Sequence, residues 1–153
     1  MNNNITRHSL SDTQLAVYTY CKAHPDDAVY QICIKYGPYR GIDVLRLKSA
    51  AESAVNRHPI MKVRIVNDSD GSPAMQRNDN EPPIVDILDD LRQFQNTISI
   101  HGRLYNIAVI GDANDCVLII CVHHLIFDGY SMNVFIDEIS TAYLGGKIAP
   151  KKF

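Results

Sequence analysis

The sequence predicts a layered α/β sandwich with a mixed, largely antiparallel sheet flanked by helices. Three observations lead there. Two strongly apolar runs, 104–110 and 116–122, are joined by Gly111-Asp112-Ala113-Asn114-Asp115, which suits a hairpin. Amphipathic helical stretches interleave with strands along the chain. The strict strand-helix alternation of a parallel sheet is missing.

The elements follow in order. Residues 10–21 read as a helix: Ser11 is the N-cap, Gln14 completes a capping box, and Leu10 and Leu15 take the positions of a hydrophobic staple. Residues 28–35 alternate loosely through Val29, Ile32 and Ile34, a strand that Gly37, Pro38 and Gly41 should break. Asp43 caps a second helix with an apolar stripe of Val44, Leu47, Ala51, Ala54 and Val55. Pro59 stops it just after Arg57-His58. Residues 61–66 make a short strand, 68–73 a hairpin-type turn and 74–77 its return. Beyond a polar stretch, 84–94 reads as a strand and a short helix. The 116–122 strand is apolar on both faces and should lie centrally, covered on each side. Ser131 then caps a last helix with Phe135, Ile139, Ala142 and Tyr143 inward, and Gly145-Gly146 ends it.

With 153 residues, 46% hydrophobic and 21% charged, the chain can bury one core. A single unit over 1–146 with a tail at 147–153 is expected. A net charge of -2 without a basic cluster argues against a nucleic-acid surface. No apolar run reaches membrane-spanning length. Met1-Asn2-Asn3-Asn4 lacks the form of a secretory signal, so a cytoplasmic setting is expected. Cys21, Cys33, Cys116 and Cys121 show no metal-type spacing and read as buried, reduced thiols.

His123-His124-Leu125-Ile126-Phe127-Asp128-Gly129 carries the chemistry. On an extended backbone the two imidazoles point to opposite faces, so they do not share a metal. Cys121 shares a face with His123, but no further ligand is at hand, and no metal is expected. One imidazole should look into the packed layer and the other into a cavity. An imidazole titrating near about 6.5 can accept a proton at cellular pH. Asp128 should fix the loop by pairing with a cation, and Gly129 should let the backbone pass close to a substrate. The helix beginning near Ser131 would aim its positive end at the same region.

Residues 122–132 resemble the His-His-x-x-x-Asp-Gly signature of condensation domains of nonribosomal peptide synthetases, relatives of chloramphenicol acetyltransferase. Residues 10–18 resemble that family's Ser-x-x-Gln helix, Arg57 to Lys62 its Arg-His-x-x-Leu-Arg segment, and Gly102 to Tyr105 its Gly-Pro-Leu-Phe segment. The resemblance implies a chloramphenicol acetyltransferase-like lobe and an acyltransferase that forms amide bonds. His124 would be the active-site histidine, His123 its structural neighbour, Asp128 the loop organiser and Gly129 part of the channel. Arg57, Lys62, Arg64 and Ser131 would support the channel. Lys62 stands where the family usually has arginine; if that arginine grips the Asp, lysine holds it less rigidly, with Arg57 or Arg64 as substitutes.

The resemblance further implies no intrinsically bound cofactor. Substrates would ride on the phosphopantetheine of peptidyl or acyl carrier proteins. The family's working unit has two lobes, and this chain would supply the first, with the second in cis or in trans. A lobe that only binds carriers, or an O-acyltransferase of the same superfamily, is the competing expectation. An epimerisation domain carries a similar signature, but Tyr130-Ser131-Met132 looks more like the condensing type.

Overall fold

The computed structural model describes residues 5–146, so the expected tail at 147–153 lies outside the described residues. A four-stranded sheet holds the centre, in the order β2 (Gln31–Tyr39), β7 (Cys116–His123), β6 (Tyr105–Gly111), β5 (Asp86–Leu88). Only the β5–β6 pair is parallel. A second sheet has three strands in the order β1 (Ile5–Ser9), β4 (Pro73–Asn78), β3 (Val63–Asn67), all antiparallel. Three helices accompany them: α1 (Asp12–Ala23), α2 (Val44–Arg57) and α3 (Gly129–Tyr143). This is the expected sandwich.

Alternation along β7 decides the layering. Leu118 faces Leu47 of α2 and Ile139 of α3, and Ile120 and Val122 share its side. The opposite face, with His123, meets Cys21 of α1. That face is also crossed by the segment before β6, where the Asn106 side chain donates to the Gln95 carbonyl at 2.9 Å. Phe135, Met61, Leu104, Ile107 and Ile120 are essentially inaccessible to solvent. Both faces of β7 are therefore covered, as its continuous apolar run requires. No described helix is long and apolar enough to cross a membrane.

Several boundaries differ from expectation. β1 was not anticipated; its single apolar residue, Ile5, gives no alternation, and it forms by pairing with β4. β2 continues through Gly37-Pro38 to Tyr39 with a register shift. It is an edge strand, where a missing proline N–H is tolerated. Met61 and Lys62 lie in a 3-10 turn, Pro59–Lys62, and β3 starts only at Val63. The last helix starts at Gly129 and is capped by Asp128, not Ser131. Cys33 and Cys121 are joined as a disulfide, with Cα atoms 4.0 Å apart, which corrects the expectation of four reduced thiols. They sit directly opposite in the β2–β7 register, a relation invisible in their sequence spacing. Cys21 and Cys116 are free and buried.

Candidate active site

The site is built where β7 runs out. The His123 N–H donates to the Leu104 carbonyl at 2.9 Å and the His124 N–H to the Tyr30 carbonyl at 2.8 Å, so both flanks hold the backbone. The chain then turns tightly. The Ile126 and Phe127 N–H groups donate to the His123 carbonyl at 3.1 and 3.3 Å.

The two imidazoles part ways here, as alternation demands. His123 is 2% exposed. Its Nδ1 accepts the Leu125 N–H at 3.1 Å, which puts the ring proton on Nε2, 3.6 Å from the Cys21 sulfur. Burial, and then the neighbouring His124, push its pKa down to about 4. It stays neutral at cellular pH and braces the turn. His124 is exposed. It borders an open groove of about 380 Å³ shared with Thr13, Gln14, Phe127, Asp128 and Ser131.

Asp128 was expected to pair with a cation. Instead its Oδ1 accepts the Ser131 N–H at 2.7 Å, as the N-cap of α3. That bond, the Ser131 hydroxyl and, less strongly, His124 hold its carboxyl below the usual range. The three expected cations are engaged elsewhere. Arg57 lies 3.5 Å from Glu138, Lys62 donates to the Asp79 carbonyl at 3.3 Å, and Arg64 pairs with Glu81. Lys62 and Arg64 belong to the region of the three-stranded sheet, away from the groove. The helix start demanded an acceptor, and Asp128 supplied it. The same carboxylate opposes the positive end of α3, so the helix lends little to a developing oxyanion.

Gly129 is the first residue of α3. A Cβ built there would meet nothing within 4 Å, and its φ is not in the left-handed region. The backbone does not need glycine at this point, and the space above it is open.

Sequence reasoning missed two supports. Glu138, on α3 but only 8% exposed, pairs with the equally buried His58 at the end of α2. The His58 ring meets Phe127 and Phe135 edge to face, with centroids 6.1 and 5.6 Å away, so the cluster backs the loop that carries Asp128. A glutamate inside the apolar stripe of α3 was the available signal. The second support is Gln14, for which the capping box and the Ser-x-x-Gln resemblance predict no contact with the histidine-bearing turn. Its Nε2 also donates to the Leu125 carbonyl at 3.0 Å. Among the described residues, no three metal-ligating side chains converge.

The fold is that of condensation domains. It is similar to the starter condensation domain of rhizomide synthetase RzmA, with a TM-score of 0.78 and 18% identity over 97% of this chain and 41% of that one. It is likewise similar to the condensation domain from Monacolin K polyketide synthase MokA, with a TM-score of 0.77 and 19% identity over 95% of this chain and 36% of that one. In sequence, the chain is 32% identical over 117 residues to HC-toxin synthetase of Cochliobolus carbonum, covering 72% of this chain and 2% of the synthetase. It is 31% identical over 133 residues to the nonribosomal peptide synthetase otaB of Aspergillus carbonarius, covering 81% of this chain and 7% of that protein. The Condensation domain family matches residues 4–152. The chain belongs to the condensation domain family, of whose solved members it spans about two-fifths.

Proposed function

We propose that this chain acts as the first lobe of a condensation domain in nonribosomal peptide synthesis. The reaction is attack by the amine of an acceptor aminoacyl thioester on the carbonyl of a donor acyl or peptidyl thioester. A C–N bond forms, the C–S bond breaks, and the amine proton ends on the departing thiol. Both substrates are held by the phosphopantetheine of carrier proteins, in the cytoplasm. Most of the acceleration comes from positioning two tethered reactants. His124 takes the proton of the attacking nitrogen or hydrogen-bonds the tetrahedral intermediate, Asp128 keeps the loop in shape, and Gly129 leaves room for the substrate arm.

One observation carries this reading: of two adjacent histidines, one is sealed and neutral while the other opens into a groove at a strand end. The test mixes the purified chain with a complementary second lobe and loaded donor and acceptor carriers, and follows products by mass spectrometry. Amide is expected with the second lobe present and not with the chain alone. Ester from alcohol acceptors would instead assign an O-acyltransferase. Carrier binding without any product would assign a non-catalytic half.

A further inference from the structure

We infer that Gln14 is a positioning residue for His124, its one amide group capping α1 with the oxygen and tethering the histidine-bearing turn with the nitrogen. The inference rests on the role proposed for His124. Gln14 Oε1 accepts the Ser11 N–H at 3.0 Å, the reciprocal half of the capping box. Nε2 donates to the Leu125 carbonyl at 3.0 Å and lies 3.9 Å from the Met75 sulfur. The amide cannot be turned around, because Ser11 offers a donor and Leu125 an acceptor.

A capping box accepts glutamate as readily as glutamine, since only an oxygen is needed. The tether needs the second atom to be a donor, which glutamine provides and an ionised glutamate does not. Leu125 is thereby gripped from two sides. Its N–H points inward to His123 Nδ1 and its carbonyl outward to Gln14. His124, one residue earlier, has its own N–H fixed to Tyr30. The backbone is thus held at the His124 N–H and at both polar groups of Leu125, while the His124 ring borders the groove.

Gln14→Glu isolates the tether, because it keeps the cap and removes the donor. Its thermal midpoint should stay near that of the wild type, and kcat of the reconstituted domain should fall about 10- to 100-fold with KM for the carriers little changed. The deficit should shrink as pH falls and the carboxyl regains a proton to donate. His124 and Asp128 are the titratable groups lining the same groove, and the wild-type pH profile records their own titration. Ser11→Ala is the converse control, lowering the midpoint without changing kcat. Hydrogen exchange of residues 125–127 needs no turnover and should quicken in Gln14→Glu. If the wild type makes no amide, the proposed function fails while the exchange measurement still judges the tether. Unchanged exchange, or quickened exchange with unchanged kcat, overturns the positioning role.

Discussion

His123 and His124 are the same residue type one peptide apart, and the structure treats them oppositely. The first is enclosed by Cys21 and the Leu125 N–H and held neutral; the second borders a groove. The difference does not come from the residues. It comes from strand alternation at the last paired position of a sheet covered on both faces. One imidazole is spent on rigidity so that its neighbour sits at a defined place. A lone histidine on a flexible loop would be exposed but unplaced.

Replacing each histidine separates the two roles most sharply. In His124→Ala, amide formation by the reconstituted domain should drop by about 10² to 10⁴-fold. Its urea-unfolding free energy should move by no more than about 0.5 kcal/mol, as for other exposed substitutions. In His123→Ala the order reverses. The variant leaves a cavity and an unpaired Leu125 N–H, so it should unfold about 2–4 kcal/mol more easily. If His124→Ala unfolds like His123→Ala, the contrast between them is broken.

How far this was legible depends on range along the chain. The Ser11–Gln14 cap, the Asp43 cap and the stop at Pro59 are local, and sequence suffices for them. The opposed histidines follow from alternation once 116–122 is read as a strand. What failed needed tertiary knowledge. Pro38 continues a strand only because β2 is an edge, and Cys33 meets Cys121 only through register. Asp128 and Ser131 are both good caps, and a local rule had no ground to prefer the first. Motif order assigns cations to Asp128, whereas the fold puts Arg64 in the three-stranded sheet and Lys62 in the 3-10 turn leading into it. Gln14 was half legible for the same reason: its oxygen acts locally and its nitrogen does not.

Acid should expose the cost of keeping His123 neutral. Its folded pKa of about 4 lies below the ordinary 6.5, so between those values the unfolded chain binds more protons at this ring than the folded one. Stability at this site is therefore full above about 6.5 and lost as pH falls toward 4. The gap corresponds to up to about 3 kcal/mol. Asp128 adds its own loss only lower down, because its carboxyl is held below the usual range by Ser131 and helps the fold until it protonates. Urea unfolding of the wild type at pH 7 and pH 5 should show the loss, and His123→Gln should show a flatter dependence between them. An equal slope in both proteins would mean that some other group dominates acid sensitivity.

The smallest structural effect should come from Gly129→Ala, and it is the most pointed for function. The added methyl meets nothing within 4 Å, and the backbone there is not left-handed. Reduced freedom of the unfolded chain should make the variant equally stable or more stable, by about 0.4–1 kcal/mol. Turnover separates the two explanations for a glycine after Asp128. If the residue is merely a tolerated helix start, Gly129→Ala condenses substrates like the wild type. If a phosphopantetheine arm passes over it, one methyl group narrows the path. The rate should then fall while unfolding shows a protein as sound as before, and restoring access with a shorter thioester arm should recover part of the loss.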